Sequence, residues 1–422
     1  MSRRTFEWAG LDTAAKIFPC TSGRRDTKVF RFVCELKEPI HPQKLQEALD
    51  QTIDSFPGFQ TIIKRGLFWY YLENTDTMPV VRQEYRSPCS QLYDKDVSSL
   101  LFEVTYFGCR INLEVFHAIS DGTGAMHFLR VLVFRYLRLM HTEQLGNLPE
   151  IDYDASESQS MDDSFEHYAN HQKAPKTPHV HKAVYHLPGL KTPDYRLNIV
   201  VGTVPVKSML AISHSYHTSL TVLICALVMQ AIHKEMSVQD STRSVVLAVP
   251  INLRNHFHSA SARNFFGVMD VSYDFSENSG SLEDMIAKID AQFKAGLSPE
   301  ELQYRVNQYM LLIKNPIARV SFLSLKDEAM RFGNYVVSQR ETSAVSNVGI
   351  VKMPAALRPY IEKFEVFVST EKEQLCCVTY EEKMTLSFSS AFLNTEMQKN
   401  FFRSLTALQI PVEIDTDSFE DN

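Results

Sequence analysis

Hydrophobic positions change period repeatedly along the chain, and one change is sharper than the rest. Ile111, Leu113 and Val115 recur at every second residue, which predicts a half-buried strand over residues 111–116. Asn112, Glu114 and Phe116 take the opposite face, and His117 keeps the register of the buried set. The period then lengthens: Met126, Phe128, Leu129, Leu132, Val133, Tyr136 and Leu137 follow at helical spacing. Asp121 stands where an N-cap belongs, and Gly122 lets another group approach its backbone amide closely. A strand thus delivers a histidine to its inner face beside a helix N-terminus. Such a pairing suits a reaction that moves one proton and builds up one negative oxygen.

The flanking pattern surrounds this turn with further strands and helices. Residues 29–36 alternate as a strand, Pro39 to Pro42 form a turn, and Leu45, Ala48, Leu49, Thr52, Ile53 and Phe56 line a helical face. Pro57 and Gly58 end that helix. Segments 59–63 and 67–72 read as a hairpin turning at Arg65 and Gly66, and 100–106 with 110–116 as a second. Residues 143–192 are polar, with few apolar positions at regular spacing, and predict a connection between halves with a short helix near 165–171. Beyond it come a strand over 197–204, a helix over 206–216, and an apolar helix capped by Thr218 and Ser219 and running to about 236. A buried strand over 245–249 leads through Pro250 and Asn252 to Arg254, and another strand covers 268–275. Two amphipathic helices fill 282–312, broken near 296–299. Residues 343–349 are small and polar and read as a loop able to approach a ligand. Three antiparallel strands over 364–370, 375–380 and 384–390, a helix over 395–408 and an acidic, frayed end from 415 complete the chain.

Composition narrows the class. A chain of 422 residues exceeds one ordinary core and suits two domains of about 200 residues each. We place them at 1–180 and 181–422, in the α/β class. Hydrophobic content of 44% and charged content of 22% describe a soluble globular protein. A net charge of -7 argues against a nucleic-acid partner, while leaving room for a local basic groove that holds a phosphate-bearing cosubstrate. Seven cysteines, without a C-x-x-C pair, read as reduced thiols, and adjacent Cys376 and Cys377 must face opposite sides of a strand. No apolar run follows the basic start, so no signal peptide is expected, and 220–232 is too short for a transmembrane segment. The cytoplasm is the default location.

A lone histidine at a strand end is usually a satisfied core residue, but Asp121, Gly122 and the helix start beside His117 favour catalysis. Asp121 itself has three competing roles: catalysis, capping, and pairing with a buried arginine. A buried carboxylate is costly unless paired, and Arg254, ending an otherwise apolar strand, is the best partner. Asp121 is therefore read as architectural. His167 and His171, with His179, His181 and His186 downstream, have metal-ligand spacing in principle. Their polar segment has no cysteine or carboxylate pattern to fix a geometry, so we expect a solvated linker and no metal. Gly122, Thr123 and Gly124 lack the lysine of a phosphate loop, and no Gly-x-Ser-x-Gly elbow suggests a covalent intermediate.

His117, Asp121 and Gly122 resemble the His-x-x-x-Asp-Gly signature of the acyltransferase superfamily with the chloramphenicol-acetyltransferase fold. That group includes peptide-synthetase condensation domains, plant BAHD acyltransferases and microbial alcohol acetyltransferases. The resemblance implies two chloramphenicol-acetyltransferase-like α/β sandwich domains with a tunnel at their interface, His117 at its middle, donor and acceptor entering from opposite ends. It implies a monomer that transfers an acyl group from acyl-CoA to a small-molecule alcohol or amine. The acyl-CoA is a co-substrate rather than a permanently bound cofactor. His117 would be the general base and the Gly122 amide an oxyanion donor. A donor on the phosphopantetheine of an acyl carrier protein is the alternative, and a catalytically silent binding module of the same fold is another. In the resembling families the signature aspartate turns from the substrate and pairs with an arginine, implying Asp121 with Arg254. A serine or asparagine from a comparable loop lies near the reacting centre there, which makes Ser346 and Asn347 candidates against an ordinary turn. Condensation domains carry a second histidine where this chain has Phe116, and the late Asp-Phe-Gly-Trp-Gly motif of BAHD enzymes is absent. The free-standing alcohol acetyltransferase branch is the nearest.

Overall fold

In the computed structural model, which describes residues 8–151, 163–170, 183–259, 261–314 and 321–417, three sheets carry the chain. The first half supplies strands β1 (Trp8–Gly10), β2 (Val29–Leu36), β3 (Thr61–Arg65), β4 (Tyr70–Asn74), β5 (Arg82–Gln83), β6 (Phe102–Phe107) and β7 (Arg110–Phe116). Its long helices are α1 (Pro42–Ile53) and α2 (Gly122–Met140). The second half opens with β8 (Asn198–Pro205), α3 (Val206–Ser215) and α4 (Leu220–His233). Then come β9 (Ser244–Asn252), β10 (Phe266–Asp274), α5 (Leu282–Gly296), α6 (Pro299–Lys314) and α7 (Leu323–Ser338). It closes with β11 (Ser343–Ile350), β12 (Ile361–Val368), β13 (Glu373–Tyr380), β14 (Lys383–Ser390), α8 (Glu396–Ala407) and β15 (Glu413–Asp417).

The sheets run β12-β2-β7-β6-β5, β10-β9-β11-β13-β14-β8-β15, and β1-β4-β3. In the first, Phe32 of β2 pairs with Leu113 of β7 on one side and Val366 of β12 on the other. Helix α2 packs on this sheet and on α1, burying Phe128, Leu129, Leu132, Val133, Tyr136 and Leu137. Helix α4 is apolar all round because it is enclosed: Val222 to Met229 are buried without interruption in the second core. No single helix among the described residues is long and apolar enough to cross a membrane. Cys376 belongs to the first core and Cys377 to the second, as alternation along β13 requires.

Several elements differ from the sequence reading. Residues 343–349 are not a loop but most of β11, a strand parallel to β9 and β13 in the middle of the second sheet. A bulge lies between Asn347 and Gly349, where Gly349 adopts φ +90°. The segment read as a strand over 364–370 is β12, which joins the first sheet instead of pairing with its sequence neighbours. Strand β4 begins only at Tyr70, with Leu67 exposed. The acidic end is ordered through Asp417 as β15, paired with β8; residues 418–422 lie outside the described residues. Helix α7 carries no sequence expectation, and the short helix near 165 spans Ser164–Tyr168. The expected boundary at 180 lies outside the described residues.

Candidate active site

Strand β7 ends at Phe116, and the His117 amide donates to the Lys28 carbonyl at 2.9 Å, fixing the turn against the start of β2. The imidazole is enclosed by Phe18, stacked at 4.7 Å between centroids, Phe30, edge-on at 4.9 Å, and Phe266 at 5.5 Å. Burial among these rings lowers the His117 pKa below the ordinary histidine value, against smaller opposing contributions from the Asp121 charge and the Asn264 hydrogen bond. Nδ1 lies 2.9 Å from Asn264 Oδ1, and Nε2 has no hydrogen-bond partner among the described residues.

Asp121 holds two of its proposed roles at once. Its Oδ1 accepts the Thr123 and Gly124 amides, each at 3.1 Å, and so caps α2. Its Oδ2 accepts from Arg254 at 2.6 Å and from the Phe265 amide at 3.0 Å. Arg254 also donates to the Ser261 carbonyl at 2.9 Å and to the Arg263 carbonyl. The Asp121–Arg254 pair therefore pins the loop before β10 against the start of α2. Ser120 Oγ reinforces the contact by donating to the Ala262 carbonyl at 2.8 Å. Gly124 is the glycine this approach demands, since a Cβ there would lie 2.2 Å from the Ala262 carbonyl oxygen and from Ser120 Oγ. A Cβ on Gly122 would meet only Phe32, at 3.7 Å. The Gly122 amide is not taken by the cap and has no acceptor among the described residues.

The pinned loop carries Asn264, whose Nδ2 donates to the His117 carbonyl and to Asp12 Oδ2, both at 3.0 Å. Asp12 is buried, accepts the Ala15 amide at 2.7 Å, and burial pushes its pKa up to about 6. Asp12, Phe18 and Asn264 escape sequence reading. Asp12 looks like the cap of a short turn, and nothing near Asn264 in sequence points to a histidine 147 positions away.

A pocket of about 170 Å³ opens at the seam of the two large sheets, lined by His117, Gly122, Thr123, Asn252, Phe266 and Ser346 among others. Val345 packs into the second core, so alternation along β11 turns Ser346 the other way. Asn347 also borders the pocket, but its amide is committed to the bulge: Nδ2 donates to Thr221 Oγ1 and Oδ1 accepts the Gly349 amide, both at 3.0 Å. Cys376 lines the same pocket, and burial pushes its thiol up to about 12. A wider crevice of about 440 Å³, with Arg24, Arg86 and Arg196 in its walls, does not include His117. No group of three or more potential metal ligands occurs among the described residues; His171, His179 and His181 lie outside them.

No protein-family profile and no curated protein matches this sequence. Solved structures do match. The first condensation domain of the CDA synthetase superposes with a TM-score of 0.62 at 13% identity, covering 95% of this chain and 96% of that one. This chain has the chloramphenicol-acetyltransferase-like fold. Within that fold, F. sporotrichioides TRI101, solved with coenzyme A and T-2, gives a TM-score of 0.60 at 11% identity over 96% of this chain and 99% of that one. Polyketide synthase associated protein 5 from Mycobacterium tuberculosis gives 0.59 at 15% identity over 94% and 96%. The two-lobed α/β architecture is thus shared across nearly the full length, with very few residues in common.

Proposed function

We propose that the protein is an acyltransferase that moves an acyl group from acyl-CoA to the hydroxyl or amine of a small molecule, with His117 as general base. The observation that carries this reading is a half-buried imidazole, biased to its neutral form, sharing one pocket with an uncapped amide at a helix N-terminus. The acceptor proton hydrogen-bonds to Nε2 as its oxygen or nitrogen attacks the thioester carbonyl, and Nε2 takes that proton. The resulting oxyanion sits at the start of α2, where the Gly122 amide and the helix dipole stabilise it. The Ser346 hydroxyl, which has no partner among the described residues, is a second donor. Collapse breaks the carbon–sulfur bond, and the imidazolium returns its proton to the departing thiolate. Asp121 takes no proton: four N–H donors fill its oxygens. Donor and acceptor reach the centre from opposite ends of a passage between the sheets. Seven free cysteines support a reducing, cytoplasmic setting.

The coenzyme A in the TRI101 structure supports the choice of donor. The condensation-domain likeness supports a second reading, in which the thioester is tethered to a carrier protein. Incubation with acetyl-CoA and a panel of alcohols and amines, following free thiol, tests both. Release is expected, and His117→Ala should lower it about 10²- to 10⁴-fold. Release from carrier-bound thioesters alone would replace the donor, and no release from either would reject the enzyme.

A further inference from the structure

We propose that Asn264 and Asp12 are positioning residues that hold His117 with its proton on Nδ1 and so leave the Nε2 lone pair for the acceptor. The proposal rests on His117 as the base, and neither residue lines the pocket.

A side-chain amide has a donor end and an acceptor end, and its surroundings decide which way it lies. Asn264 Nδ2 faces two acceptors, the His117 carbonyl and Asp12 Oδ2. Asp12 Oδ2 also accepts the Asn264 backbone amide at 3.2 Å, and Oδ1 is occupied by the Ala15 amide. Turning the amide over would set its oxygen against both a carbonyl and a carboxylate oxygen in a buried site, a costly arrangement. Oδ1 therefore faces Nδ1, and a ring nitrogen 2.9 Å from a carbonyl oxygen must donate. A histidine side chain in water prefers its proton on Nε2, the tautomer that cannot act as a base through that atom. The site must reverse this preference, and the fixed amide does so.

The clamp is assembled from distant segments. Asp12 follows β1, and its neighbour Thr13 is tied to Asp163 by bonds of 2.8 and 2.7 Å. Arg263 donates to the Gly10 carbonyl at 3.0 Å, so three hydrogen bonds join the loop bearing Asn264 to the segment bearing Asp12. Stacking on Phe18 restrains the ring from the remaining side.

Histidine-selective ¹⁵N labelling with long-range proton correlation reads the tautomer directly in the whole protein. The wild-type His117 ring is expected to be protonated at Nδ1 and bare at Nε2 at neutral pH. Asn264→Ala should shift the ring toward Nε2 protonation and lower kcat about tenfold or more, with little change in KM. Asp12→Asn, which supplies one acceptor where two are used, should shift it in the same direction. A wild-type ring protonated at Nε2 overturns the proposal, even if His117→Ala abolishes transfer and so upholds the base. An Asn264→Ala ring and kcat equal to wild type also overturn it. Nδ1 protonation that is lost in Asn264→Ala supports the clamp, even if no thioester reacts and the base is rejected. The wild-type spectrum decides the tautomer should the variants fail to fold.

Discussion

Burial fixes the direction of the His117 pH response. An ordinary histidine titrates near 6.5, and desolvation holds this one lower. The folded ring stays neutral while the unfolded chain takes up a proton as pH falls through 6.5, so stability is lost below that value rather than above it. Activity has the same sense. The acid limb of kcat/KM is expected below pH 6.5, full activity holding above it and failing as pH drops through the lowered pKa. A pH–rate profile whose acid limb sits at or above 6.5 would contradict a desolvated base. Cys376 gives a related result: burial raises its thiol to about 12, which makes it a poor nucleophile at neutral pH.

At the scale of elements, the strand, turn and helix around His117 were legible because a period of two gives way to 3.6 within a few residues. The pairing of Asp121 with Arg254 was legible from the cost of burying either alone. The contact at 2.6 Å agrees, though the capping role proved not to exclude it. β11 was not legible, since Ser343, Ser346, Asn347 and Gly349 lack strand propensity and are held by pairing, Ser343 with β9 and the other three with β13. α7 was missed for another reason: Leu325 and Phe332 face solvent, so its apolar residues do not mark a single buried face. Asn264 acts from a loop whose shape depends on Arg254. These dependencies make Asp121→Asn an element-level lesion. Replacing the carboxylate leaves Arg254 buried without its counter-charge, and stability should fall by about 3–5 kcal/mol. Urea unfolding would measure it; native stability with turnover as low as in His117→Ala would instead place Asp121 in the chemistry.

For the whole molecule, the two halves are not separable at one point in the sequence. Ile361–Val368 completes the first sheet by pairing along Val29–Leu36, so the edge of β2 is covered by chain from the far half. A fragment of residues 1–180 would expose that edge and is expected to aggregate, which size-exclusion chromatography would show; a monodisperse, folded fragment would contradict it. Local periodicity could not reveal this exchange, because β12 reads like any buried strand and its partner is chosen by topology. β12 is also fastened to the other side: Thr385 Oγ1 donates to the Phe364 carbonyl at 2.7 Å, and the Val368 amide donates to Ser389 Oγ at 3.3 Å. The two large sheets are thus tied along this seam by these bonds and by the chain that leaves the second sheet after β11, enters the first as β12 and returns as β13. Parting the two large sheets would have to break the Phe364 and Val368 contacts or strip Ile361–Val368 from β2.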